Sequence, residues 1–252
     1  MKFQLIKTSV IFSLVVCIFV PSQTKATTLG TVYIAHEGFF AHDLMNIWAG
    51  GSEGGIGHAG VSMLNKTYST GEGNIWADGI VTGFCMEWAE PTSTSIQKYD
   101  VIKPAEGPIP VDFLGSAIGE TKAGYLQELW GRYYDPSWAS GGSFTPEQNS
   151  KAGAFAAAIW EIVHEDLPVS PFGWDVTIDG TIGDGGFRAE GGDLLTANMM
   201  LHSLDGTGPM ADLRVFSYDG YQDFLVAVPE PTTIVLLGMG GAFSLLRRRK
   251  RA

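Results

Sequence analysis

Cysteine and positive charge are both scarce in this 252-residue chain. It holds two cysteines, Cys17 and Cys85. Cys17 lies within an N-terminal apolar run, so the folded part of the chain keeps a single thiol and no partner for an internal disulfide. Between residues 27 and 231, eight basic residues stand against all twenty-seven acidic ones, a formal net charge of −19. A surface this acidic repels phosphate backbones, so we expect no nucleic-acid partner.

The N-terminus has the pattern of a secretory signal peptide. Lys2 and Lys7 precede an apolar core at residues 10–20, and a Thr-Lys-Ala segment follows at residues 24–26. Small residues at this distance from an apolar core are what signal peptidase reads. We therefore expect signal peptidase to remove residues 1–26 during export.

The C-terminus has a second targeting pattern. A Val-Pro-Glu-Pro turn at residues 228–231 is followed by an apolar stretch at residues 232–246 and then by a basic cluster. As a helix, fifteen residues span about 22 Å, which is less than the ~30 Å thickness of a bilayer core. A transient anchor fits this length better than a permanent one, and the basic end is expected to stay in the cytoplasm. The residues that define the pattern are Pro229, Glu230, Pro231, Arg247, Arg248 and Arg249.

This arrangement resembles the PEP-CTERM sorting signal of Gram-negative bacteria. The resemblance implies processing by an exosortase and transient anchoring in the inner membrane through the C-terminal helix. It also implies delivery to the cell surface, the outer envelope or the exopolysaccharide matrix. We thus expect a sorting signal at residues 228–252 and one globular domain at residues 27–227.

Sequence patterns between the two signals predict an α+β fold. The Asp-Gly pair at residues 78–79 separates two apolar runs and predicts a hairpin, whereas Thr145, Pro146 and Gln148 have the spacing of a helix N-cap with a capping box. The Gly-rich acidic segment at residues 179–193 is expected to be a mobile loop. Predicted strands lie at residues 31–35, 59–64, 75–88, 96–102, 174–178, 213–217 and 224–228, and predicted helices at residues 112–134, 145–166 and 193–204.

The order of these elements is strands, then helices, then mostly strands. It predicts a β-barrel or sandwich body with a helical insertion. The signal peptide and the sorting helix flank this body.

Two segments suggest a site around the remaining thiol. The first reads Gly-Phe-Cys-Met-Glu-Trp at residues 83–88, and the second reads Ala-Ala-Ala-Ile-Trp at residues 156–160 within the predicted second helix. Together they resemble the thioester domains of bacterial surface adhesins, in which an aromatic-Cys motif accompanies a helix with Gln-x-Ala-Ile-Trp. The resemblance implies a Cys that attacks a Gln side-chain amide, expels ammonia and leaves an acyl group for a partner's amine.

The helical motif departs from that pattern at one position. Ala156 stands where the resemblance places the acyl-donor Gln, while Ile159 and Trp160 are present. Gln148, two turns upstream in the same helix, and Gln127, on the preceding predicted helix, are the other glutamines considered. We therefore expect a degenerate thioester site at Cys85, Ala156, Ile159 and Trp160, in which Cys85 is a packed thiol close to Ala156.

Weaker patterns suggest other chemistry. Cys85 with a histidine predicts a thiol-hydrolase dyad, although no local motif selects a partner among His36, His42, His58, His164 and His202; a histidine at a helix C-terminus such as His164 is explained by the helix dipole. A calcium ion could be bound by the carboxylates of the acidic segment, which are those of Asp175, Asp179, Asp184 and Asp193. The alternative is a solvated acidic loop. Trp138, in a predicted loop, is the best candidate for an exposed carbohydrate platform, whereas the other tryptophans are expected in the core.

The sequence thus predicts an exported, exosortase-sorted surface or matrix protein with an adhesive or structural, non-covalent role. Extracellular polysaccharide or a surface protein is its expected ligand, and we expect no catalytic residue, cofactor or bound metal. Two alternatives stay open: a covalent thioester adhesin that uses Cys85, and a secreted Cys-dependent hydrolase.

Overall fold

The computed structural model describes residues 26–50, 54–88, 90–108, 116–178 and 186–230. Within these ranges the chain forms a seven-stranded antiparallel sheet and three α-helices, which confirms the α+β prediction. The strands are β1 Gly30–Ala49, β2 Gly55–Gly71, β3 Gly79–Cys85, β4 Gln97–Ile102, β5 Phe187–Glu190, β6 Leu213–Tyr218 and β7 Tyr221–Ala227. The helices are α1 Gly119–Tyr133, α2 Pro146–His164 and α3 Leu194–His202.

The strand pairings close the sheet on itself. The order is β2-β3-β7-β6-β4-β1-β5, and β1 also pairs with β2 along most of its length. The first residues of β1 pair with β4, whereas its last residues pair with β5. Six strands therefore form a ring in which every strand has a neighbour on both sides over part of its length.

One face of the ring points inward. In antiparallel pairs, directly opposite residues share a face, so Cys85 lies on the same face as its partner Phe224. Phe224 is stacked with His36 of β1 at 6.0 Å and lies 6.0 Å from Tyr99 of β4, although neither strand is a neighbour of β7. These contacts cross the ring, so the face that carries Cys85 is its interior.

The helices cover part of the outer face. Phe84 points away from Cys85, and its ring contacts Trp130 of α1 at 5.4 Å and Phe155 of α2 at 4.9 Å. Almost all of α2 is buried from Ala152 onward, as expected for a helix that is apolar on every side. Its N-terminus has the predicted capping box: Thr145 and Gln148 each bond the other's backbone N–H through their side chains.

Two of the predicted strand boundaries are wrong. The Asp-Gly pair at residues 78–79 is not a hairpin turn, because Gly79 already pairs with Lys66 and the chain reverses earlier, through a 3-10 turn at Glu72–Ile75. Residues 174–178 do not form a strand; the N–H of Val176 donates to the Asn198 side chain instead of a ladder partner.

The predicted loop at residues 179–193 contains a strand. Phe187, at the start of β5, is buried, and its ring lies 6.0 Å from that of Trp160. The same residue pairs with Ala49 of β1. Burial of this aromatic ring explains the pairing, while residues 179–185 lie outside the described part.

His164 is the last residue of α2 and is buried. The helix-dipole explanation requires a protonated imidazole, and burial disfavours that form. Neither of its ring nitrogens has a hydrogen-bond partner among the described residues. Burial, with a smaller effect from the nearby Lys122 ammonium, lowers its pKa to about 4 from an ordinary value of 6.5. Lys122 of α1 serves the helix terminus instead, since its ammonium donates to the carbonyl oxygens of Val163 and Glu165.

Acid is therefore expected to destabilise the fold through His164. The unfolded chain takes up a proton near pH 6.5, whereas the folded protein does so only near pH 4. The free energy of unfolding falls as the pH drops through this window, by about 3 kcal/mol for this residue. Urea unfolding of wild type and of His164→Leu from neutral pH to pH 4 measures this contribution, because the other titrating groups are common to both. If the free energies of unfolding of the two proteins changed equally with pH, the predicted contribution of His164 would be wrong.

Candidate functional site

Cys85 and Gln222 meet inside the ring. The Cys85 Sγ lies 2.8 Å from the Gln222 Oε1 and 3.7 Å from the hydroxyl oxygen of Ser62. Cys85 is the last residue of β3, and Gln222 is the second residue of β7. Both residues are buried, with 6 % and 8 % of their surface exposed. The described thiol therefore faces an amide in a site nearly closed to solvent.

The strand register explains this contact. Cys85 pairs with Phe224, and Gln222 lies two residues before Phe224 on the same face. Such diagonal neighbours are about 7–8 Å apart at the backbone, a gap that a long side chain can cross. Ser62 pairs with Gly83 and so reaches the same face from the other side of β3.

Hydrogen bonds hold the amide of Gln222 in one orientation. Its Nε2 donates to the carbonyl oxygen of Glu87 at 3.1 Å, while its backbone N–H donates to the carbonyl oxygen of Pro91 at 3.1 Å. The carbonyl carbon is one bond of about 1.23 Å from the oxygen that contacts the sulfur. An electrophilic carbon and a thiol are thus held together, with the amide nitrogen directed away from the sulfur.

The thiol is held in its neutral form. Burial raises the pKa of Cys85 to about 12; the Ser62 hydroxyl opposes this rise, and the Glu87 carboxylate adds to it when it is ionised. Reactive cysteines usually have a pKa below their ordinary value and a partly exposed thiol. Burial and the raised pKa of Cys85 therefore disfavour attack on an external substrate.

Carboxyl groups lie next to this pair. Glu87 is 4 % exposed, and one of its carboxyl oxygens accepts a hydrogen bond from the backbone N–H of Asp223. Burial, together with the charge of Asp223, raises the pKa of Glu87 well above its ordinary value. Asp223 is fully buried, and its Oδ1 accepts from the N–H of Tyr218 at 2.9 Å. The pKa of Tyr99 is also raised, by burial and then by these negative neighbours.

The helical motif lies on the outer side of the ring. Ala156 and Ile159 are buried within α2. The ring of Trp160 lies 6.4 Å from that of Trp88 and 6.0 Å from that of Phe187. The role of Ala156 as a replaced acyl donor stays a prediction. The glutamine that contacts Cys85 comes from β7.

Sequence reasoning missed Gln222 because it compared only glutamines near the helical motif. A signal was present, since Gln222 is an isolated amide in the strand Tyr221–Ala227, whose interior is otherwise largely apolar. A buried amide in such a strand needs a polar partner. Only the pairing of β3 with β7 identifies that partner as Cys85.

The histidines do not provide the hydrogen-bond partner of the thiol, which contacts Ser62 and Gln222. His164 ends α2, and His202 bonds the carbonyl oxygen of Trp174. His42 and His58 contact each other on the first two strands, at 4.8 Å between ring centroids. His36 stacks with Phe224 inside the ring, and its Nε2 has no hydrogen-bond partner among the described residues. A Cys-His dyad therefore has no support from these contacts.

The two described aspartates of the calcium prediction have local roles. Asp193 is the N-cap of α3 and accepts from the N–H of Thr196 at 3.1 Å. Asp175 accepts from the side chains of Thr177 and Asn198. Asp179 and Asp184 lie outside the described residues. In the described part of the chain, no group of three or more metal-ligating side chains comes together.

Trp138 is not an exposed platform. It is 2 % exposed, and its ring packs against those of Tyr134 and Phe155. Asp135 accepts from the N–H of Ser137, and this contact folds the segment into a 3-10 turn that directs the indole inward. The prediction of a carbohydrate-binding surface at Trp138 is therefore wrong.

Comparison with known proteins identifies the C-terminal signal. Residues 227–250 match the family described as the PEP-CTERM protein-sorting motif. The motif implies an exported protein that an exosortase sorts, typically to the envelope of a Gram-negative bacterium. No curated protein and no solved structure matches the chain.

The terminal segments are largely outside the described residues. These are residues 1–25 of the predicted signal peptide and the whole predicted sorting helix at residues 232–246. Between residues 26 and 230, the described helices include none that is both long and apolar enough to span a bilayer.

Proposed function

We propose that this exported protein forms an internal thioester between Cys85 and Gln222 and uses it to bond covalently to a partner at the cell surface or in the extracellular matrix. The observation that carries the proposal is the 2.8 Å contact between the Cys85 sulfur and the Gln222 carbonyl oxygen. The resemblance of residues 83–88 to the aromatic-Cys motif of thioester adhesins supports it. In this proposal the acyl donor is Gln222, and position 156 has no part in the bond.

The bond changes balance without a further reagent. The Cys85 sulfur attacks the side-chain carbonyl carbon of Gln222, the bond from that carbon to Nε2 breaks, and the thiol proton leaves with the nitrogen as ammonia. A partner's amine then attacks the same carbon. Its nitrogen becomes the new amide nitrogen, and the sulfur leaves and regains a proton as the Cys85 thiol.

Burial of the pair supports this chemistry. A thioester is an activated acyl group, so water is its main competitor, and a nearly closed site slows hydrolysis. The close placement of two groups that would otherwise react slowly also supplies part of the rate. Close placement offsets the high pKa of the thiol in this internal reaction. The same high pKa argues against a hydrolase, which must attack external substrates.

A non-covalent adhesive or structural role is the second candidate. The same 2.8 Å contact supports it if the Cys85 S–H simply donates to the Gln222 carbonyl. In that case Cys85 is the packed thiol of a degenerate thioester scaffold. The two functions differ in mass and in thiol content, so one experiment separates them.

The test is the intact mass of the protein spanning residues 27–228, before and after treatment with methylamine. We expect the mass of the chain less one ammonia, followed by the gain of one methylamine and the appearance of one titratable thiol. A mass equal to that of the unmodified chain, with no methylamine adduct and a thiol that reacts only after denaturation, would establish the non-covalent alternative.

A further inference from the structure

Glu87 is a buried residue whose backbone contacts the reacting amide and whose carboxyl is close enough for its charge to act on the Cys85 thiol. Its main-chain oxygen accepts from Nε2, the nitrogen that leaves when the proposed thioester forms. Its side chain is buried, and its Oε2 has no hydrogen-bond partner among the described residues. An unsatisfied buried carboxyl oxygen costs stability, so its presence beside a reactive pair calls for a role.

The side chain of Glu87 also interrupts the strand ladder. The N–H of Met86 donates to the carbonyl oxygen of Asp223, as in a regular antiparallel pair. In such a pair the N–H of Asp223 would donate back to Met86. It donates instead to the Glu87 carboxyl, which is thereby drawn into the space between the ends of β3 and β7. Gln222, whose Nε2 donates to the Glu87 main-chain oxygen, directly precedes Asp223.

We propose that the Glu87 carboxyl is the proton relay of the Cys85–Gln222 pair. This inference rests on the proposed thioester function. When the thioester forms, protonated Glu87 gives its proton to the departing nitrogen of Gln222 and takes the proton of the Cys85 thiol. When an amine captures the acyl group, Glu87 passes a proton from the attacking nitrogen to the departing sulfur. Glu87 returns to its starting form each time.

The electrostatics agree with a relay that starts protonated. Burial and the neighbouring Asp223 raise the pKa of Glu87 well above its ordinary value, which favours the protonated carboxyl that the relay needs. The pKa of about 12 at Cys85 means that the thiol does not ionise unaided near neutral pH. A relay transfers its proton without forming a free thiolate. The titratable groups that interact with Glu87 are Cys85, Glu90, Tyr99 and Asp223.

The experiment follows ammonia loss as protein prepared unfolded and unreacted is refolded. Wild type is compared with Glu87→Gln, which keeps an acceptor for the N–H of Asp223 but cannot relay a proton. Asp219→Asn is the matched control, because it removes a carboxylate from the exposed turn between β6 and β7. Intact mass against time gives the rate, and thermal unfolding shows that each variant folds.

We expect Glu87→Gln to slow ammonia loss by roughly 10²- to 10⁴-fold, the usual contribution of a positioned acid–base group. Asp219→Asn is expected to react like wild type. The rate of ammonia loss in wild type should fall as the pH rises through the pKa of Glu87. The rate in Glu87→Gln should not show this decrease. A Glu87→Gln protein that folds and reacts at the wild-type rate would overturn the relay.

The wild-type pH profile keeps the relay testable if Glu87→Gln does not fold. A reaction by free thiolate accelerates about tenfold per pH unit below the pKa of the thiol, and that profile would also overturn the relay. If wild type never loses ammonia, the proposed function itself fails, and the relay with it. If wild type and Glu87→Gln lose ammonia at the same rate, the relay is disproved and the proposed thioester function still stands.

Discussion

Replacing Gln222 by alanine is expected to abolish both ammonia loss and methylamine capture, while α2 and its Ala-Ile-Trp motif stay unchanged. The side-chain carbonyl that contacts the Cys85 sulfur is the only electrophile placed there by the described residues. The truncation removes that carbon, so no acyl group can form. Intact mass before and after methylamine measures the loss, and Cys85→Ala should give the same result.

Ala156→Gln is the matched test of the other acyl-donor position. It restores the residue that the resemblance to thioester adhesins places on the helix. Ala156 is buried within α2, so the added atoms must displace packed neighbours at a cost of roughly 1–3 kcal/mol. We expect lower stability and no crosslink when Ala156→Gln is combined with Gln222→Ala. Methylamine capture by that double variant would show that a glutamine at position 156 can reach Cys85, which contradicts the placement of α2 outside the ring.

Removing the carboxylate of Glu128 is expected to destabilise the protein by about 3–5 kcal/mol, the range for breaking a buried charge network. Glu128, on α1, is fully buried. It accepts from the backbone N–H groups of Gly206 and Gly208, at 2.7 and 3.0 Å, and from Arg132 Nε at 2.8 Å. Glu128→Ala leaves these donors without their acceptor, in the connection that leads from α3 to β6.

Glu147→Ala is the control for this prediction. Like Glu128 and Arg132, Glu147 and Lys151 of α2 form an ion pair between residues four apart in sequence. Both of these side chains are largely exposed. Exposed pairs of this kind contribute little to stability. Urea unfolding should show a much lower midpoint for Glu128→Ala and nearly the wild-type midpoint for Glu147→Ala. Equal midpoints in the two variants would mean that the buried network contributes nothing.

Local signals predicted the parts of the fold that depend on nearby residues. The capping box at Thr145 formed as expected, because each of its bonds joins residues three apart in sequence. Strands β4, β6 and β7 also lie close to their predicted positions, since each is a short run that contains β-branched and aromatic residues. The long strand β1 was mostly missed, because irregularities in its pairing with β2 disrupt the alternation on which strand prediction depends.

The sequence by itself determined the export and sorting of this protein, its α+β class and the presence of one thiol in its folded part. These features are written in contiguous residues or in composition. Only the tertiary structure decided which side chain faces that thiol. Cys85 and Gln222 are 137 residues apart, and the ring of strands brings them to the same inward face. The register of β3 against β7 is a property of the whole ring, and no local pattern around either residue specifies it.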